Sequence, residues 1–121
     1  MEKVTGIGGF FFRARDPGAL SDWYRDHLGI APVPSGADEQ PWRQLAGTTA
    51  FAPFPETTEY FGDLGKSWMI NLRVKDLDAM VAQLRRAGIA VEVNPENDLY
   101  GRFARLLDPE GNPIELWESV S

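Results

Sequence analysis

Cysteine is absent from this chain, which excludes disulfides, thiolate metal sites and a cysteine nucleophile. Histidine occurs once, at His27. With one His and no Cys, a Ser/His/Asp or Cys/His catalytic arrangement has little support. Lys and Arg do not cluster, and the formal net charge is −6, which argues against nucleic acid or an anionic membrane surface as partner. No apolar run approaches the ~20 residues of a membrane span. The start, Met1-Glu2-Lys3-Val4-Thr5-Gly6, lacks the charged-then-apolar pattern of a signal peptide. These absences lead to the expectation of a soluble, cytoplasmic protein with no membrane partner.

The 121 residues are enough for one compact domain or two small modules sharing a core. The plainest local signal runs from Tyr100 to Glu118 and reads as a β-hairpin. Asp108-Pro109-Glu110-Gly111-Asn112 supplies the turn, because Pro fixes φ and Gly tolerates positive φ, and alternating apolar residues flank it. In the second arm Ile114 and Leu116 point one way, and Glu115 and Trp117 the other. A carboxylate beside a large aromatic, behind a clean apolar face, predicts one side packed on helices and one side lining a cavity.

Upstream, Ile7 to Arg15 reads as a strand, followed by a helix capped by Asp16 and Pro17, with Leu20, Trp23, Tyr24 and Leu28 at helical spacing and Gly29 as its stop. Short strands are expected at Ala31 to Val33, Trp42 to Leu45 and Thr48 to Phe54, then a connecting loop from Pro55 to Lys66 whose Tyr60 and Phe61 either close a cleft or cap the core. The pattern then restarts. Trp68 to Val74 reads as a strand, Asp76 caps a helix carrying Leu77, Met80, Val81, Leu84 and Ala87 up to Gly88, and strands follow near Val91 to Val93, Arg102 to Leu107 and Pro113 to Glu118. A shift of sixty positions aligns Arg13 with Arg73, Asp16 with Asp76, Ala19 with Ala79 and Arg25 with Arg85. This points to a duplicated βαβββ unit.

Two glycine-rich stretches carry no nucleotide chemistry. Gly65-Lys66-Ser67 resembles the end of a P-loop, but Tyr60 stands where the first Gly is required and a strand follows. Gly6-Ile7-Gly8-Gly9 also runs into a strand, without the helix N-terminus that would cradle a phosphate.

Phe12-Arg13-Ala14-Arg15-Asp16-Pro17, Trp23-Tyr24-Arg25-Asp26-His27-Leu28-Gly29, Val74-Lys75-Asp76-Leu77-Asp78-Ala79 and Asp108 to Leu116 together resemble the vicinal oxygen chelate superfamily of glyoxalases, bleomycin-resistance proteins and extradiol dioxygenases. The resemblance implies an α+β fold of two βαβββ modules, residues 1–58 and 67–121 of a single domain, curved around a cleft, and usually a homodimer. Family activities span lyase, isomerase, dioxygenase and drug sequestration, so the fold does not choose among them.

In metal-using relatives the ion is held by His, Glu or Gln side chains on the first and last strands of each module. Counted back from Asp16 and Asp76, the first-strand positions fall near Gly9 and Met69, and the last-strand positions fall on Glu115 and near Ala50 or Phe51. One carboxylate does not hold a catalytic divalent ion in the usual family way, so no metal and no other cofactor is expected.

Strand parity puts Phe11 and Arg13, Asn71 and Arg73, and Glu115 and Trp117 on one face, with Trp42, Tyr100 and Arg102 as further candidates. Arginines beside aromatic rings suit a planar or anionic small molecule. Equally, Arg13, Arg73 and Glu115 could pair with each other across a wet interior face or a dimer interface. Glu115 is the candidate general base for a glyoxalase-type lyase or isomerase, with an ion pair to Arg as the structural alternative. His27 reads as a helix-end residue at or near the surface.

Overall fold

The structure, a computed structural model, describes residues 1–63, 65–96 and 98–120; Leu64, inside the expected connecting loop, lies outside them. The fold is α+β. In chain order the elements are α1 (Pro17–Leu28), β1 (Ile70–Arg73), α2 (Leu77–Arg86), β2 (Glu92–Val93), β3 (Gly101–Leu107) and β4 (Pro113–Ser119). The sheet order is β1-β4-β3-β2, with β1 parallel to β4 and the other pairs antiparallel.

Both helices start as their sequences dictate. Asp16 accepts a hydrogen bond from Ala19 N at 3.1 Å and Asp76 one from Ala79 N at 3.0 Å, each satisfying a donor the first turn leaves free. Helix α1 ends at Gly29, whose φ of 73° closes the helix through a bond from its N–H to the Arg25 carbonyl. Helix α2 buries Leu77, Val81 and Leu84, one stripe at i, i+4, i+7, with Met80 partly buried beside it against the core and the polar positions presented outward. The strand β4 adds a second cap, because Glu118 accepts from Leu77 N at 2.9 Å.

The core joins Leu20 and Tyr24 of α1, the α2 stripe, Ala104 and Leu106 of β3, and Ile114 and Leu116 of β4, with Ile70 and Leu72 of β1 packed at its border. The ladder Leu106↔Ile114 and Ala104↔Leu116 keeps this apolar set on one side of the sheet. The hairpin turn is docked onto the start of α1. Asp108 accepts from the Tyr24 hydroxyl at 2.7 Å, and Glu110 accepts from the backbone N–H groups of Arg15 and Asp16 at 2.7 and 3.0 Å. These bonds, Arg15 and Asp16 in that order, hold the Glu110 carboxyl below the usual range, whereas burial first and Asp108 second push the Tyr24 phenol up.

The first half departs from expectation. Among the described residues, no ladder forms at Ile7 to Arg15, Ala31 to Val33, Trp42 to Leu45 or Thr48 to Phe54. Leu45 and Phe51 are each 86% exposed. The physical difference lies in what the segments touch. Phe10 and Phe12 put their rings against Trp68, 4.9 and 5.0 Å between centroids, and Phe12 meets Tyr24. Side chains anchor this segment while its backbone stays out of the sheet. In the second half the expected strands appear with shifted ends: β1 is shorter, and the hairpin arms begin at Gly101 and reach Ser119.

Candidate functional site

The face of the sheet turned away from the core carries the polar and aromatic side chains, and the ladder decides which of them meet. Asn71 of β1 and Arg105 of β3 flank Glu115 of β4; one layer on, Arg73 and Phe103 flank Trp117. Alternation along each strand makes these six residues one surface.

Glu115 is 7% exposed and accepts hydrogen bonds at both carboxylate oxygens. Asn71 Nδ2 donates to one at 2.7 Å, and the Tyr60 hydroxyl donates to the other. Burying a carboxylate is costly unless such donors are supplied, so this pair is what lets the side chain sit inside. Among the described residues Glu115 makes no ion pair: the arginine partner considered from sequence is replaced by a phenol and an amide.

Tyr60 arrives from the connecting segment rather than from the sheet. Its ring stacks on Phe54 at 5.9 Å between centroids, Phe61 also packs on Phe54, and the Arg105 guanidinium lies 4.6 Å from the Tyr60 ring centre. A cation over the face of a ring is attracted by its quadrupole. The phenol is pushed up to about 12, first by burial, then by its bond to Glu115 and the charge there, with Arg105 pulling the other way. A proton held more tightly in the folded than in the unfolded chain stabilises the fold fully below the ordinary value of 10.0, and this contribution is lost as pH rises towards about 12. Tyr60→Phe should therefore lose less stability than the parent protein across that window in urea titrations. Equal losses would show that the phenol proton is not held.

Trp117 is 7% exposed and lies parallel to Phe103, 6.1 Å between centroids with 2° between planes. Its indole N–H donates to the Tyr100 carbonyl at 3.1 Å. This placement depends on Gly101, at φ 139°, where an added Cβ would collide with the Glu118 carbonyl and press on the indole nitrogen. Arg73 reaches across to donate to the Leu45 carbonyl at 2.9 Å, and passes so close to Gly47 that a Cβ there would overlap its guanidinium.

The remaining sequence candidates lie apart from this surface. Arg102 is on the opposite, helix-facing side of the sheet and pairs with Asp78 at 2.8 Å, which raises the Arg102 pKa and lowers that of Asp78. One residue's shift in parity accounts for this, since Gly101, Phe103 and Arg105 take the Glu115 side. Tyr100 contributes its carbonyl, and its side chain is exposed; Phe11 and Trp42 are exposed as well. Arg13 borders a surface hollow of about 380 Å³ with Arg15, Lys66 and Asn112, and a second of about 380 Å³ lies by Leu20, Trp23 and Pro109. Glu115 lines neither; Tyr60 covers it. Phe103 and Arg105 are the residues that sequence reading passed over. Their signal was the turn: pairing Leu107 with Pro113 sets Arg105 opposite Glu115 and Phe103 opposite Trp117.

Among the described residues no three His, Cys, Asp or Glu side chains converge as ligands for a metal ion. Around Glu115 the neighbours are an amide, a phenol and, across the strand, a guanidinium that would oppose a second cation. This donor set does not fit the divalent ion of the metal-using relatives. Among the described residues no helix is long and apolar enough to cross a membrane.

Comparison with known proteins gives this geometry its context. The model of the Glyoxalase-like domain family matches residues 9–117. The chain is 31% identical over 131 aligned positions to the anthracycline biosynthesis protein DauV of Streptomyces sp. (strain C5), covering 97% of this chain and 45% of that protein. It is 33% identical over 104 positions to the anthracycline biosynthesis protein DnrV of Streptomyces peucetius, covering 84% of this chain and 37% of that protein. The chain thus spans less than half the length of these curated relatives. Among solved structures, TnmS3, an antibiotic binding protein from Streptomyces sp. CB03234, superposes with a TM-score of 0.61 at 25% identity, over 98% of this chain and 99% of that one. A family match across nearly the whole chain, on an α+β sheet with a polar and aromatic face turned from its helices, has one reading: the chain belongs to the glyoxalase-like domain family.

Proposed function

We propose that this chain is a binding protein for a small planar aromatic molecule, taken up without a metal ion on the face formed by Asn71, Arg73, Phe103, Arg105, Glu115 and Trp117. The observation that carries the reading is the juxtaposition of a parallel Trp117–Phe103 pair with a buried, hydrogen-bonded carboxylate and a guanidinium one layer away. Flat apolar surface stacks a ring system, and Glu115 and Arg105 fix its orientation through polar groups. The antibiotic-binding description of TnmS3 and the anthracycline-pathway names of DauV and DnrV support the same ligand class.

The reading includes the two-module arrangement of residues 1–58 and 67–121 and a homodimer. The exposed Leu45 and Phe51, with the outer edge of β1 unpaired among the described residues, leave apolar surface and strand edge for a second copy. Titration of the protein with an anthracycline aglycone, followed by tryptophan fluorescence, should give saturable one-site quenching, with the ligand recovered unchanged. Sedimentation of the same samples should give twice the chain mass. Absence of saturation up to the solubility limit sinks the binding reading, and a monomeric mass sinks the dimer.

A second reading keeps Glu115 as the general base of a glyoxalase-type lyase or isomerase. It is favoured by the buried carboxylate and the half-exposed Tyr60 hydroxyl meeting, a base and an acid within one hydrogen bond. Turnover of a thiol adduct of a 2-oxoaldehyde, lost in Glu115→Gln, would support it; ligand recovered unchanged under all conditions supports binding alone.

A further inference from the structure

Tyr60 is a ligand-like group already seated on the proposed binding face. It comes from outside the sheet, and its phenol meets three different kinds of contact at once: Phe54 stacks on the ring, Arg105 sits over it, and Glu115 accepts from its hydroxyl. The ring is not embedded in the core, since Tyr60 remains 39% exposed and Asn71 beside it is exposed as well. A side chain held by polar and stacking contacts at the surface, rather than by packing, is one that a better-bound ring can replace.

We propose that the Glu115 site selects planar phenols, and that Tyr60 occupies it as a built-in competitor which the ligand displaces. The inference rests on the binding reading above and names its ligand class. Glu115 is an acceptor whose two bound donors are the Asn71 amide and the Tyr60 hydroxyl. When Tyr60 leaves, one carboxylate oxygen is left without its donor in a largely desolvated place, and a ligand that brings an O–H restores the bond whereas one that brings only an ether oxygen does not. A site built around such an acceptor rejects the analogue lacking the proton, because the penalty falls on the unpaired buried group. Arg105, set free from the Tyr60 ring, faces the incoming aromatic surface in the same manner.

β-Naphthol and its methyl ether, in which a methyl group replaces that proton, are suitable probes, titrated by calorimetry into the parent protein, Glu115→Gln and Tyr60→Phe. The parent protein should bind the naphthol about tenfold more tightly than the ether, the scale of one hydrogen bond to a charged acceptor. Glu115→Gln should reduce that ratio to within about threefold, since a neutral amide replaces the charged acceptor. Tyr60→Phe should tighten both probes by about tenfold and leave their ratio unchanged, because the free protein no longer holds the bond that the ligand must break. Equal binding of both probes to the parent protein overturns the phenol preference while leaving a planar-ligand site standing. Weaker binding of both probes by Tyr60→Phe overturns displacement, making Tyr60 a contact to the ligand instead. Failure of all three proteins to bind either probe overturns this inference together with the binding reading.

Discussion

Asp108→Ala should destabilise the fold by about 3 to 5 kcal/mol, the combined cost of stranding buried donors that each contribute about 1 to 3 kcal/mol when left unsatisfied. Asp108 is 4% exposed, in the turn between β3 and β4. One oxygen accepts from the Tyr24 hydroxyl at 2.7 Å and Asn112 Nδ2 at 2.8 Å; the other accepts from the N–H groups of Glu110 and Asn112 at 2.8 and 3.0 Å. Removing it unpins the turn internally and also cuts a tie between α1 and the second half of the chain. Tyr24→Phe cuts the tie alone, and its cost should be about 1 kcal/mol, the net worth of one hydrogen bond. Urea denaturation of both variants separates the two contributions. A loss below about 1 kcal/mol for Asp108→Ala would mean that water replaces the carboxylate and that the turn is held by its backbone.

Leu116→Ala and Glu115→Gln, neighbours on one strand, should part sharply. Leu116 is 0% exposed beneath the helices, so truncation costs about 2 to 5 kcal/mol in lost transfer energy and residual cavity. Glu115→Gln should cost about 1 kcal/mol or less, for a reason that its partners supply. Had Glu115 been paired with a buried arginine, neutralising it would strand a charge at about 3 to 5 kcal/mol. With Asn71 and Tyr60 as partners no charge is stranded: the glutamine oxygen accepts from Asn71, and the Tyr60 hydroxyl turns to accept from the glutamine amide. Paired denaturation curves test this. A small loss for Leu116→Ala contradicts the strand register, and a loss above about 3 kcal/mol for Glu115→Gln means that a buried cation depends on it.

Much of the second half of the fold is written in local chemistry. Asp76 before an i, i+4, i+7 stripe, Gly88 after it, and the Asp-Pro-Glu-Gly-Asn turn each act within a few residues of where they stand, so helix α2 and the hairpin were legible from the sequence. Alternation in β4 likewise separates Leu116 from Glu115 without knowledge of any other strand. Parity in β3 was not legible to the same degree. Arg102 and Arg105 differ by three positions and so lie on opposite faces, and only the pairing of Leu107 with Pro113 tells which arginine stands beside Glu115. The first half shows the limit more strongly. Its aromatic segments have strand composition, but a strand exists only when a partner satisfies its backbone, and Phe10 and Phe12 are engaged through their rings instead. The sequence by itself determined the caps, the helix stripes, the hairpin and the sidedness of Glu115. Tertiary structure alone decided that Tyr60, fifty-five residues away, would reach that carboxylate, because a contact between distant segments depends on how the intervening chain is routed and leaves no periodicity at either end.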